Sequence, residues 1–216
     1  MDSHYENGRT RFDGDSHRAY IGGLWDELGA LQLSFMTGRG LKPGHRLLDV
    51  GCGSLRGGVR FIEYLDPFHY HGTDINGTLI RAGLERELTP ELRARVSEEN
   101  FIVSPDFRCD FNVEGFDYGI ALSLFTHLSQ NKIRLCLSRL RDKFRGGQFY
   151  ATVFVSDNRD FSASQEQKGG IVTWHYKDPF HYTVPQLEAM AAETGWEFEW
   201  IGNFDHPRNQ QMALFY

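Results

Sequence analysis

The sequence predicts an α/β fold, one doubly wound domain whose sheet is mainly parallel and ends in an antiparallel pair. Three observations predict it. Short apolar segments alternate with helical periodicities through the whole body of the chain, as in successive strand–helix–strand units. Seven segments read as strands, and the last two are joined by GNFDHPRNQ, too short to hold a crossover helix, so that pair is antiparallel. Finally, 216 residues with 40% hydrophobic and 24% charged side chains supply a sizeable core.

The elements follow in order. Residues 1–17, rich in Asp, Gly, Arg and Ser, read as a flexible arm. Between His17 and Gly38 apolar residues recur at helical spacing (Ile21, Leu24, Leu28, Leu31, Phe35), with Gly22, Gly23 and Gly29 as weak points in an unbroken helix. GLKPGH is a turn. Residues 46–50 form a short buried strand, and 55–65 a helix with Leu55, Val59, Ile62 and Leu65 on one face. Strands are expected at 69–73, 101–104 and 118–123, with helical pieces at 78–88 and 90–96. The helix at 129–144 turns Ile133, Cys136, Leu137, Leu140 and Phe144 inward, and 148–155 is a long strand. Thr183 caps the last helix, Pro185 suits its first turn and Gly195 stops it. Residues 196–201 alternate aromatic and acidic side chains, as a half-buried strand does, and QQMALFY closes the sheet.

Composition excludes several classes. The formal charge of −6 argues against a dedicated nucleic-acid binder, whose footprint is a basic patch. No apolar run approaches the roughly 20 residues of a membrane span. The N-terminus is polar rather than a signal-peptide core. Cys52, Cys109 and Cys136 are odd in number, far apart and without a CxxC pair, so a disulfide framework is not expected and a reduced, cytoplasmic chain is.

The chemistry concentrates in LLDVGCGS, a buried strand that ends in an acidic residue, then a Gly-x-Gly turn, then a helix. Glycines at Gly51 and Gly53 let backbone approach a ligand where a Cβ would collide. This is the first turn of a nucleotide-type site at the carboxyl end of a strand. A dinucleotide fingerprint would place a third glycine where Arg56 stands, and a P-loop would end in Gly-Lys-Ser/Thr. Asp49 is a poor neighbour for pyrophosphate and a good one for an ammonium group. Asp74, at the end of the second strand, can accept both hydroxyls of a ribose. Together they favour a cationic amino-acid nucleoside. Cys52 reads as a small residue that fits the loop rather than a nucleophile.

With those residues in place, DVGCG, GTDIN and FDYGIALSLFTHL resemble the class I S-adenosylmethionine-dependent methyltransferases over residues 40–155, and the closing strands at 183–216 match as well. The resemblance implies a Rossmann-like domain at 39–216, a seven-stranded sheet with an antiparallel last strand, and a helical lid at 18–38. It implies S-adenosyl-L-methionine as cofactor, with Gly51, Cys52 and Gly53 at its methionine moiety, Asp49 at the ammonium and Asp74 at the ribose. Asp106, or failing it Asp110, is the candidate for the adenine amine, with Phe107 against the ring and Leu122 and Ser123 lining the site.

Methyl transfer is an in-line displacement, so the protein must align the acceptor and, for a hydroxyl, remove a proton. His127, His175, His181 and His206 lie in the loops after the fourth, fifth and sixth strands, and histidine titrates near neutrality. His127 is the candidate general base, against a role in capping the following helix. His206, Arg208 and Gln210 form either a polar substrate clamp or an ordinary hairpin turn. His181 is a further substrate candidate, and Tyr20, Trp25 and Gln32 serve either the acceptor pocket or core packing. No metal is expected, since no paired carboxylates follow the fourth strand and the histidine spacings fit no compact metal signature. The leading reading is transfer to an oxygen or nitrogen of a small-molecule acceptor, without nucleic-acid or membrane partners. The absence of an (Asp/Asn)-Pro-Pro-(Tyr/Phe) motif argues against amino-group methylation of bases or glutamine amides. The alternatives are a protein acceptor, or a regulatory or assembly protein that binds the cofactor without catalysis. A nicotinamide oxidoreductase is disfavoured by Asp49 and Arg56.

Overall fold

Alternation of side chains along each central strand sends apolar residues to both faces of one sheet. The computed structural model describes residues 12–158 and 160–216. Its strands are β1 (Leu47–Val50), β2 (Tyr70–Asp74), β3 (Phe101–Val103), β4 (Tyr118–Ala121), β5 (Gln148–Val155), β6 (Ser164–Gln167), β7 (Ile171–Trp174), β8 (His181–Tyr182), β9 (Phe198–Asn203) and β10 (Gln211–Phe215). Its helices are α1 (Ser16–Tyr20), α2 (Trp25–Gly38), α3 (Gly58–Tyr64), α4 (Gly77–Arg86), α5 (Pro90–Arg93), α6 (Gln130–Leu140) and α7 (Val184–Glu193).

The main sheet runs β3-β2-β1-β4-β5-β10-β9. Its pairs are parallel except those of β10, which is antiparallel to both neighbours. This is the doubly wound, mostly parallel sheet with an antiparallel last strand that the sequence predicts. Leu48, Val50, Ala121, Phe149, Ala151, Val153, Ala213 and Phe215 pack with α6 and α7 on one face. Leu47, Ile120, Tyr150, Met212 and Leu214 pack with α2, α3 and α4 on the other. The five residues expected inward on the 129–144 helix are all fully buried. Thr183 and Gln186 form a capping box at α7, and Gly195 ends it at φ +79°.

Three departures have local causes. The 17–38 periodicity splits into α1 and α2, because Gly22 (φ +90°), Gly23 (φ +64°) and Leu24 (φ +51°) take left-handed backbone. Leu24, expected on the inner face, is consequently exposed. Second, α3 starts only at Gly58, since Gly53 and Leu55 hold positive φ in the turn before it. Third, the 156–182 stretch, unassigned in the sequence, holds a separate β6–β7 hairpin and the two-residue β8, which pairs in parallel with Phe154 and Val155 at the end of β5.

Of the flexible arm expected at 1–17, residues 1–11 lie outside the described residues. Phe12 and His17 are buried, and Glu87 accepts from both His17 Nε2 (2.5 Å) and the Arg18 guanidinium (2.6 and 2.7 Å). The lid expected at 18–38 divides in the same way. α2 buries Leu28 and Met36 in the sheet core, so the covering segment is the shorter stretch before it. Among the described residues, no helix is long and apolar enough to cross a membrane.

Phe149 is fully buried between Phe125, Phe144, Trp196 and Phe215. Phe149→Ala should cost about 3–5 kcal/mol of unfolding free energy by urea titration, because the ring cluster cannot collapse around the void.

Candidate functional site

A cavity of about 350 Å³ opens at the carboxyl ends of β1, β2, β4 and β5, beneath Ile21 and Gly22. Its first wall follows from how the chain leaves β1. Gly51 (φ +78°) and Gly53 (φ +53°) occupy conformations open to glycine, and a Cβ on either would stand 3.2 Å from a neighbouring side chain, Leu124 or Ile21. The turn is tied to β2 by three backbone donors. Gly51 and Cys52 N–H donate to the Thr73 carbonyl (2.7 and 3.1 Å), and Gly53 N–H donates to Asp74 Oδ2 (2.8 Å). Asp74 Oδ1 accepts from Asn76 N–H (2.8 Å). Burial pushes the Asp74 carboxyl up, and its backbone donors hold it back. Cys52 turns its thiol to Gly72, where a Cβ would lie 2.9 Å from Sγ, so a small residue is required there.

Asp49 lies on the floor, 4% exposed, accepting from Tyr70 Oη at 2.8 Å. Burial pushes its carboxyl up to about 7; Tyr70 opposes that rise, and the nearby Asp74 charge adds to it. Tyr70 was not singled out in the sequence. Strand parity would have found it, because Leu47 pairs with Tyr70 and Asp49 with Gly72, so the phenol and the carboxylate share a face.

The opposite wall comes from the ends of β4 and β5. Leu122 and Ser123 line it, with Ser123 in left-handed backbone (φ +59°). Ser123 N–H donates to Thr152 Oγ1 (2.7 Å), and both hydroxyls donate to Gln210 Oε1 (3.0 Å from Ser123, 2.7 Å from Thr152). His127 follows in a short 3₁₀ turn and lines the cavity; its Nδ1 meets Asp178 Oδ1 at 2.6 Å. A carboxylate at one ring nitrogen orients the imidazole and makes the other nitrogen the basic one. Asp178 carried no signal in the sequence, because the contact spans 51 residues.

No protein-family model matches the sequence. The architecture does match solved structures. The chain is similar to magnesium protoporphyrin IX methyltransferase (ChlM) from Synechocystis PCC 6803 with bound SAM, at TM-score 0.61 and 11% identity over 97% of this chain and 86% of that one. It is also similar to the CcbJ methyltransferase from Streptomyces caelestis, at TM-score 0.63 and 14% identity over 95% of this chain and 99% of that one. The methyltransferase domain of bacterial CtHen1 gives 0.58 at 16% identity, over 88% and 98%. The chain has the class I methyltransferase fold.

On that methyltransferase fold the residues singled out in the sequence separate into two groups. Asp49, Gly51, Cys52, Gly53, Asp74, Phe107, Leu122, Ser123, His127 and Arg208 all line the one cavity, as do Gln32 and Gln210. The others stand outside its lining. Asp106 is captured by Ser104, whose hydroxyl donates to Oδ1 (3.0 Å), and its other oxygen meets Arg108 (3.2 Å) and Arg139 (3.7 Å), so the carboxylate faces outward. Ser104, Pro105 and Phe107 (φ +60°) form the wall instead. Asp110 is exposed in the following loop. Tyr20 packs edge-on against Phe12, and Trp25 against His17 under the Arg18 guanidinium. His181 is buried in β8 against Thr173 Oγ1 (2.8 Å), and burial lowers its pKa to about 4. His206 is buried as well and accepts the Arg208 N–H (3.1 Å); burial and the Arg56 and Arg208 charges lower it to about 4. Both histidines are neutral at pH 7 and act as supports.

The Asp49 carboxyl has a consequence for stability. Its folded pKa lies above the unfolded value, so burial of the ionised form costs stability progressively from about pH 4 to pH 7 and fully above that. Asp49→Asn should therefore melt higher than the parent at pH 8. The gap should shrink toward pH 5, as followed by circular dichroism.

Proposed function

We propose that this chain is an S-adenosylmethionine-dependent methyltransferase acting on an oxygen or nitrogen of a small-molecule acceptor. The observation that carries the reading is the Gly53–Asp74 clasp, set in the same cavity as the His127–Asp178 pair. A carboxylate offers about four acceptor positions. Asp74 spends two on backbone N–H groups, and the remaining two suit the two hydroxyls of a ribose. The glycine turn suits a close-lying aminoacyl chain, and the Asp49 and Asp74 carboxylates suit a cationic ligand. A cavity of about 350 Å³, at the small end for ligand sites, suits small-molecule ligands. A cytoplasmic setting belongs to the same reading, supported by three free, buried cysteines.

When bound, the cofactor supplies a methyl group on a positively charged sulfur. The work of the chain is positioning. Asp74 and the turn fix one ligand against the β1–β2 wall, while Val50, Leu122, Leu124 and Phe154 exclude water around the reacting atoms. With Nδ1 donating to Asp178, Nε2 of His127 accepts the proton of an acceptor hydroxyl as the new oxygen–carbon bond forms and the carbon–sulfur bond breaks, or takes the proton of an acceptor ammonium beforehand so that the free amine attacks.

Calorimetric titration tests the cofactor. The protein should bind S-adenosylmethionine and S-adenosylhomocysteine at micromolar levels and NAD not at all. Asp74→Ala should weaken both nucleosides by at least about 100-fold, the lower end of what two hydrogen bonds to a charged group at about 1.5–3 kcal/mol each imply. Affinity for the sulfonium form should fall as pH drops below about 7, where Asp49 takes up a proton. NAD binding, or no nucleoside binding, would overturn the reading.

The base is tested separately. His127→Ala should slow methyl transfer to a hydroxyl acceptor by about 10²–10⁴-fold while leaving S-adenosylhomocysteine affinity unchanged in the same titration.

A further inference from the structure

The two walls of the cavity differ in charge. The β1–β2 side presents the Asp49 and Asp74 carboxylates, with the Arg56 guanidinium beside them on the segment leading into α3, whereas the β4–β5–β10 side presents His127, Lys132, Arg208 and Gln210. Within that second wall, Gln210 is 3% exposed and its orientation is set by its neighbours. Thr152 Oγ1 accepts the Ser123 N–H, which directs its own proton to Gln210 Oε1, and Ser123 Oγ donates to the same oxygen. Oε1 is thereby fully used. Among the described residues no acceptor meets the amide N–H₂ on the other branch, although Gln210 lines the cavity. That N–H₂ is therefore open to a ligand in the cavity.

Two residues earlier, Arg208 lines the same cavity. Its Nη2 donates to the Gly22 carbonyl at 2.6 Å, a neutral partner, and among the described residues no carboxylate pairs with it. His206 fixes the turn by accepting the Arg208 N–H. The guanidinium and the amide therefore stand two residues apart on one rigid turn, as a positive charge without a counter-charge beside a donor without an acceptor. Both deficits are met by one planar oxyanion, the geometry that arginine recognises best.

We propose that Arg208 and Gln210 form a carboxylate subsite and that the acceptor is a small carboxylic acid whose nucleophile faces His127. This rests on the methyl-transfer reading of the same cavity and adds the charge class of the acceptor. The aminoacyl end of the cofactor is the other source of the same oxyanion, and the experiment separates the two.

Benzoate, salicylate, 4-hydroxybenzoate and lactate, each beside its methyl ester, would be titrated by calorimetry into protein saturated with S-adenosylhomocysteine. At least one acid should bind at least 10-fold tighter than its ester. Arg208→Gln and Gln210→Glu should each weaken that acid at least 10-fold while leaving S-adenosylhomocysteine affinity within 2-fold. Gln210→Glu keeps an oxygen for Ser123 and Thr152 and replaces only the donor, so folding, checked by thermal melting, is preserved. Equal binding of acids and esters, no acid binding, or variants that leave acid binding intact would overturn the subsite. Loss of S-adenosylhomocysteine binding in both variants would assign the oxyanion to the cofactor and overturn the acceptor assignment. Failure of the parent protein to bind S-adenosylhomocysteine would instead remove the methyl-transfer reading beneath it.

Discussion

One carbonyl oxygen at the end of β2 organises the site. Thr73 O receives the N–H groups of Gly51 and Cys52, and the next residue's carboxylate receives that of Gly53. Three successive donors that leave β1 with no partner in their own strand are thus satisfied by its neighbour, as buried backbone donors must be. The turn is locked against β2, α3 starts where it does, and the backbone carbonyl of Asp74 goes on to hold Ser104 at the head of the β3 loop. Moving any one of these would unseat the others, so the wall formed by β1, β2 and β3 behaves as one unit.

Against that unit stands a wall of different character. Ser123, Thr152 and Gln210 join the ends of β4, β5 and β10 through one amide oxygen, so three strands distant in sequence share one polar knot. The cavity lies between a side that concentrates negative charge and a side that concentrates donors. The Asp49 and Asp74 carboxyls are both buried, and among the described residues their hydrogen-bond donors are the Tyr70 hydroxyl and the backbone N–H groups of Gly53 and Asn76, so burial raises the pKa of each.

The sheet and its helices were legible because their signals are local. Leu137 or Phe149 is buried by a periodicity that any reader of the chain can follow, and Thr183 and Pro185 announce the start of α7 within three residues. The glycine turn and Asp74 were legible for the same reason, since strand ends and special backbone conformations leave marks in a short window. What stayed hidden depends on side chains meeting across the fold. Asp106 occupies the expected position after β3 yet turns outward, because Ser104 lies two residues before it and captures its carboxylate. Asp178 orients His127 from a loop whose sequence carries no periodicity. β6 reads SQEQ, without an apolar face, so nothing marks it as a strand until β7 pairs with it.

The covering segment before α2 is held mostly by its backbone. Arg56 grips the carbonyls of Ile21 and Gly23, Arg208 that of Gly22, and Arg86 those of Phe12 and Gly14. Every amino acid brings the same carbonyl to such a contact. The instructions for closure are therefore written largely in the arginines of the body, and the cover is comparatively free to drift outside Gly22 and Gly23, whose left-handed backbone favours glycine, and outside His17 and Arg18, whose side chains Glu87 holds. Over evolutionary time the residues that overhang the cavity can be exchanged, and the choice of ligand retuned, without rebuilding the clasps that hold the cover down.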